Sequence, residues 1–449
     1  MKALIAFLEK YFVPVASKVG SQRHLVAVRD GFAAIMPIII AGSMGVLINN
    51  LQVTKDAATD PYQMLMNSIF GGTGWKSFGG NIWWGTFAIM SLFIVFTVAY
   101  NLAKSYNLNP MSVGVLSFST YFVFVPQAVN ATLGDKVGDL AVPAELVGQQ
   151  VGAWGNINWG FTNSGALFAA ILVAIVVTEL FRLLSKSKAL IITMPEGVPP
   201  AVAKAFAALL PSLIVLSLAA LAQMFLFNKE ALVMLINNSV QKPIVAIGTS
   251  FGGALAIAFL NHFLWFFGLH GSNILEPVMQ AINLTAIDAN IAAVTAGQPA
   301  PFIVTKSFFD AFVYMGGSGT TIALLAAIYV GSKRKHYRMM ANLGVGPGLF
   351  NINEPVIFGL PIVLNPIYFI PFILTPMVLT TVAYVATAVG IVPHTIAVIP
   401  WVMPPILGGF LATGGSVMGG ALAAVNLVIA FVIYMPFVLL AEKHEADNL

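Results

Sequence analysis

Long stretches of the chain carry no Asp, Glu, Lys or Arg: Gly31–Thr54, Ser77–Ala103, Ser105–Gly134, Leu146–Thr178, Ala205–Asn228, Pro243–Leu275, Ala311–Ser332 and Pro355–Ala441. A helix needs about 20 apolar residues to cross a bilayer. Most of these runs therefore hold one crossing, and the last holds three or four full or partial passes. The pattern predicts crossings that start near Gly31, Trp84, Met111, Asn163, Ala205, Phe251, Gly317, Ile367, Thr395 and Gly420. That makes an all-α polytopic membrane protein of about ten transmembrane helices. Ahead of them, Met1–Lys18 places Ile5, Leu8, Phe12 and Val15 at helical spacing, with Lys2, Lys10 and Lys18 elsewhere on the surface. This predicts an amphipathic helix, interfacial on the membrane or ordinarily cytoplasmic, and not a cleavable signal.

Composition sharpens the assignment. Of 449 residues, 58% are hydrophobic and 8% charged, where a soluble domain carries about 25% charged residues. So few charges cannot cover a soluble globule, so lipid is the solvent for much of the chain. The complete absence of cysteine excludes disulfide scaffolds and makes zinc or iron–sulfur centres improbable chemistry. The net charge of +4 does not indicate nucleic acid, because the basic residues cluster beside apolar spans.

Charge also orients the chain. Lys2, Lys10, Lys18, Arg23 and Arg29 precede the first span and place the N-terminus in the cytoplasm. Arg182, Lys186, Lys188 and Lys204 follow four crossings and agree. Lys333, Arg334, Lys335 and Arg338 conflict, since complete crossings put them outside and the charge rule puts them inside. Segments that enter and leave by one face would account for the conflict.

The chain divides near Phe227–Pro243 into an N-terminal transmembrane domain, 1–227, and a C-terminal one, 228–449. The first has continuous apolar spans and one long loop, Asn130–Trp159, expected to form surface structure of its own. The second is broken by Gly and Pro in two stretches. One holds Gly344, Gly346, Pro347, Gly348, Pro355, Gly359, Pro361 and Pro366; the other holds Pro393, Pro400, Pro404, Pro405, Gly408 and Gly409. Broken backbone at membrane depth survives where protein or a wet cavity supplies hydrogen-bond partners, as in the discontinuous helices of transporters. A polar solute site in the second half is one reading; kinked but continuous helices are the other.

Glu354 is the only Asp, Glu, Lys or Arg between Arg338 and Glu442, and it sits in the first broken stretch. A carboxylate inside a bilayer costs about 3 kcal/mol or more unless paired or hydrated, which marks it as a functional candidate. Its alternative role is to open a half-helix with Pro355. His270 lies within Trp265–Asn273 and is a donor for a solute hydroxyl, a partner for Glu354, or a structural group; His262 reads as structural. Trp265 and Trp401 offer faces for a sugar ring or serve as interfacial anchors, the reading also given to Trp75, Trp83, Trp84, Trp154 and Trp159. Asn351, Asn353 and Asn273 bind hydroxyls or satisfy backbone groups. Asp310 and Glu276 read as solvated or capping groups near span ends. The histidines show no metal-ligand spacing, and Gly71–Ser77 lacks the Gly-Lys pair of a phosphate loop. No metal and no cofactor are expected.

Three segments carry a resemblance: Met194–Val202, Trp265–Asn273, and Asn351-Ile352-Asn353-Glu354-Pro355-Val356-Ile357-Phe358-Gly359-Leu360-Pro361. They resemble the lactose/cellobiose/diacetylchitobiose family of permease components, enzyme IIC, of the bacterial sugar phosphotransferase system, most closely its diacetylchitobiose-specific members. The resemblance implies a homodimer in the bacterial cell membrane. The N-terminal half would carry the dimer contact, and the C-terminal half would hold a disaccharide between two re-entrant hairpins. It also implies that the residue matching Glu354 approaches the 6-hydroxyl to be phosphorylated, with that matching His270 beside it. The phosphoryl group would come from a phosphocysteine on a separate IIB chain, supplied in turn by IIA and HPr. The competing function is an ion-coupled secondary sugar transporter with Glu354 as proton or cation site. An intramembrane enzyme would need a nucleophile or metal site that the sequence does not offer.

Overall fold

The computed structural model describes every residue except 1, 53, 55–58, 134, 135, 138, 139, 142, 144, 196, 228–230, 361 and 447–449. Glu196, Pro361 and the expected division at 228 therefore lie outside the described residues, as do the side chains of Ile5 and Leu8.

The chain is predominantly helical. Its elements begin with α1 (Lys2–Gly20), α2 (Arg23–Asn50), α3 (Pro61–Phe70), α4 (Ser77–Trp84), α5 (Met90–Ser105) and α6 (Pro110–Val123). Strands β1 (Ala128–Thr132), β2 (Lys136–Val137), β3 (Leu140–Ala141) and β4 (Gln150–Trp154) follow, then α7 (Leu167–Leu184) and α8 (Pro200–Phe225). Next come α9 (Leu232–Ile236), α10 (Lys242–Gly248), α11 (Phe251–Phe266), α12 (Gly271–Thr295), α13 (Lys306–Phe312) and α14 (Thr321–Gly331). The chain continues through α15 (Lys335–Leu349), α16 (Glu354–Gly359), α17 (Pro366–Ala388), α18 (Pro405–Ala412) and α19 (Val417–Ala446).

Among the described residues, six helical stretches are long and apolar enough to cross a membrane: Arg23–Asn50, Thr73–Ser105, Ser164–Leu184, Val202–Phe225, Pro366–Ala388 and Val417–Lys443. The pair Leu232–Gly248 and Phe251–Phe266, bent by 74°, makes a seventh if taken as one broken span. The expected starts at Met111 and Gly317 correspond to the shorter apolar helices α6 and α14. The start expected at Thr395 is a correction. The chain is non-helical from Val389 to Pro404, and helix resumes only in the eight residues of α18. Pro393, Pro400 and Pro404 each remove a backbone donor there, so apolar composition alone does not make a helix. Conversely, α12 runs 25 residues although Glu276 and Asp288 interrupt its apolar pattern.

The chain forms two compact units, one of residues 30–35 and 88–242, the other of 1–29, 36–87 and 243–449. In the former, α5 buries Ile94, Val95, Val98, Ala99 and Leu102, all fully, with Leu167, Ala170 and Ala174 of α7 and Val113 of α6. Gly31 permits close approach, since a Cβ there would lie 2.7 Å from the Val98 side chain. The long loop does form surface structure: β1 pairs antiparallel with β4 and β2 with β3. In the latter unit, α1 sets Phe12 against Phe263 and Phe267, with centroids 5.2 and 6.0 Å apart, while Val15 is exposed. Its core has one cluster around Phe308, Phe312, Leu379 and Ala423, and another around Leu324, Val356, Ile357, Tyr368, Phe372 and Tyr434.

Candidate functional site

The site is built where three broken segments of the larger unit meet. In the first, α15 stops, Asn351 turns the chain with φ 61°, and the six-residue α16 starts at Glu354 with Pro355 in its first turn. Asparagine tolerates the left-handed region because its short polar side chain bonds locally. Here it bonds further away: Oδ1 accepts the Gly316 N–H at 2.7 Å, while Nδ2 donates to Trp401 O at 2.6 Å and Met403 O at 2.9 Å. Asn353 donates from Nδ2 to Ser318 O at 2.6 Å.

The second segment is a buried glycine loop between α13 and α14, where the sequence pattern predicts the start of a span near Gly317. Gly316, Gly317 and Gly319 have φ of 74°, 89° and 80°. A Cβ on Gly317 would lie 2.6 Å from Asn353 Oδ1, so only glycine allows the two loops this contact. Side chains satisfy the loop's carbonyls: Thr320 donates to Val313 O at 2.7 Å, Thr321 to Gly316 O at 2.5 Å and Tyr434 to Gly319 O at 2.6 Å. The signal was the run Gly316-Gly317-Ser318-Gly319, which is too rich in glycine for a helix start.

The third segment is the extended run before α18. Asn290 donates to Thr395 O at 2.9 Å, Thr305 and Thr395 hydroxyls meet at 2.7 Å, and Ser307 donates to Ala397 O at 2.7 Å. The Ser43 hydroxyl accepts the Val398 N–H. Trp401 follows, 54% exposed, with its carbonyl held by Asn351.

His270 stands at the corner between α11 and α12. Its Nδ1 accepts the Asn273 N–H at 3.2 Å, capping α12, so the neutral ring carries its proton on Nε2 and presents a donor. The Trp265 ring lies 4.4 Å from the imidazole, centroid to centroid, and 6.5 Å from Phe358 of α16. Leu364, with φ 58°, donates its N–H to Phe266 O at 3.0 Å, which docks the α16–α17 connection onto this corner. As a result the Glu354 carboxylate comes within electrostatic range of the His270 imidazole, as does the Arg29 guanidinium. Trp265 is 3% exposed, and its indole N–H has no acceptor among the described residues. The side chains of Glu354 and Asn273 are exposed. His262 is fully buried, with Nδ1 2.6 Å from Ala258 O.

One charge cluster runs against the expectation of solvated ends. Asp310 is buried and forms an ion pair with Lys306 at 2.7 Å, and Glu276 bonds Gln280 within electrostatic range of both Lys306 and Arg29. The i,i+4 spacing of Lys306 and Asp310 was the available signal. Among the described residues no group of three His, Asp or Glu is placed to hold a metal ion.

Comparison with known proteins fits this architecture. The chain matches the Phosphotransferase system, EIIC family over residues 29–376 and belongs to it; it is a multi-pass membrane protein. It is 38% identical to the Lichenan permease IIC component of Bacillus subtilis (strain 168), covering 99% of this chain and 95% of that one. It is 37% identical to the PTS system cellobiose-specific EIIC component of Geobacillus stearothermophilus, covering 99% and 96%. The crystal structure of the transporter ChbC, the IIC component from the N,N'-diacetylchitobiose-specific phosphotransferase system, aligns with a TM-score of 0.90 at 37% identity, covering 98% of this chain and 99% of that one.

Proposed function

We propose that the chain moves a β-linked disaccharide of the diacetylchitobiose or cellobiose type inward and presents its 6-hydroxyl for phosphorylation by phosphorylated IIB. The observation that carries this reading is the Glu354 carboxylate within electrostatic range of His270, at the corner where Leu364 docks the α16–α17 connection onto Phe266, with the histidine's Nδ1 engaged by its own helix cap. In the reading, Glu354 accepts the 6-hydroxyl proton as the sugar oxygen bonds to phosphorus and the phosphorus–sulfur bond to the IIB cysteine breaks. His270 donates from Nε2 and holds the hydroxyl or the carboxylate in place. Both are the catalytic residues of the proposal. The absence of cysteine from this chain fits a phosphoryl carrier on IIB, itself charged through IIA and HPr.

Trp401, exposed at the tip of the third segment, is the platform for a pyranose face, and the unpaired indole N–H of Trp265 is a donor for a sugar hydroxyl. Asn273 and Asn353 complete the binding set, Asn353 with what remains free after its bond to Ser318. The bent pair and the short helices α6 and α14 count as further crossings beside the six long ones, close to the ten transmembrane helices expected in addition to two re-entrant hairpins. The basic residues before α2 favour a cytoplasmic N-terminus, and the exposed apolar face of α8, including Leu209, Leu213 and Phe225, suits a homodimer contact in the N-terminal half or lipid.

The test is sugar phosphorylation in membranes supplied with phosphorylated IIB. Glu354→Gln is expected to lower the rate by about 10²–10⁴, the range of a general base. Full phosphorylation by that variant would overturn the assignment.

A further inference from the structure

We infer that Asn351 is a positioning residue that holds the Trp401 platform in register with the Glu354 carboxylate without touching the sugar. Of the Asn351 bonds, one runs to the glycine loop at Gly316 and two run to the segment that carries Trp401. Along that segment Asn290, Thr305, Ser307 and Ser43 anchor residues 395–398, and Asn351 takes over at 401–403. Three residues beyond Asn351 lies Glu354, at the start of α16. A single amide therefore joins the two ends of the proposed sugar site. Its buried position (9% exposed) and its left-handed backbone are both committed to that bridge.

The chemistry of the amide makes the bridge directional. Two carbonyl oxygens face one NH2 group, which only a donor satisfies. Asn351→Asp keeps the oxygen that accepts the Gly316 N–H but sets a second oxygen against the Trp401 and Met403 carbonyls. It thus releases the tryptophan segment while leaving the glycine loop attached. Asn351→Gly removes the whole bridge and still accepts a φ of 61°.

The inference rests on the reading of Trp401 as a sugar platform, and epistasis separates the two. Binding of radiolabelled diacetylchitobiose and cellobiose would be measured on purified protein, with size-exclusion profiles as the folding control. Trp401→Ala alone is expected to weaken binding about tenfold, as loss of one aromatic contact does. Asn351→Asp and Asn351→Gly are each expected to weaken it similarly, and adding Trp401→Ala to either should then change little. Adding Glu354→Gln should still weaken binding in both. If Trp401→Ala keeps its full tenfold effect in the Asn351 variants, the positioning role is overturned and the platform stands. If Trp401→Ala is neutral in the otherwise wild-type chain, the platform reading falls and this inference with it. Wild-type affinity in Asn351→Asp would also overturn it.

Discussion

The helices α5, α6 and α7 and the three broken segments around Glu354 draw on the same apolar vocabulary and solve the backbone problem in opposite ways. In the interiors of α5–α7 the amides bond within their own helix, and the side chains Ile94, Val98, Leu102, Val113 and Ala174 need only pack. First-turn amides such as Ser91 and Phe168 reach outside it, to Thr162 O and Gln241 Oε1. In the broken segments the backbone cannot satisfy itself, so Asn290, Thr320, Thr321, Asn351, Asn353 and Tyr434 do it from outside. An unsatisfied backbone group at membrane depth costs several kcal/mol. The second arrangement thus spends polar side chains on structure, and it leaves a carboxylate at the first residue of a short helix, an imidazole at a helix cap and an exposed indole on non-helical chain.

Four substitutions probe that contrast. The largest effect belongs to Glu354→Gln, whose loss of about 10²–10⁴ in phosphorylation rate should come without loss of thermal stability. Next is Asn290→Ala in α12. It strips donors from Phe302 O and Thr395 O and the acceptor from Phe302 N–H. A destabilisation of about 3 kcal/mol, read as an earlier thermal transition of the purified protein, should come with weaker disaccharide binding. Leu102→Ala in α5 should cost about 2 kcal/mol through its cavity while leaving the dissociation constant unchanged. Weakened binding in that variant would erase the distinction drawn between the two regions. The smallest effect, with the opposite sign, is Gly346→Ala. A Cβ there meets nothing within 4 Å inside α15, so the helix should gain about 0.5–1 kcal/mol.

How far the sequence foretold this follows from which signals are local. Glu354 stood out because charge is rare in apolar sequence, and the prolines around it exposed the break. His270 was a candidate, but its tautomer was not legible, because that depends on the Asn273 amide arriving at a helix cap. Asn351 and Asn353 were open between solute and backbone, and the structure shows backbone bonds for both, since partners 35 to 52 residues away cannot be read from spacing. The Gly316–Thr320 loop was missed because apolar neighbours masked it as a span start. A crossing expected near Thr395 failed where three prolines outweighed hydropathy. The sequence offers Asp310 as a solvated or capping group because its burial depends on tertiary packing, although Lys306 four residues earlier is in plain view.

The central claim is that Glu354 meets the sugar's 6-hydroxyl. Its most direct test compares the affinity of a disaccharide with that of its 6-deoxy analogue, on the wild-type protein and on Glu354→Gln. The Glu354 side chain is exposed in the free protein, and a bound sugar would cover it. An analogue without the hydroxyl then leaves the carboxylate desolvated and unpaired, so the wild type should reject the analogue by tenfold or more, and Glu354→Gln should distinguish the two ligands far less. Equal discrimination in both proteins would contradict the account and move the 6-hydroxyl away from Glu354.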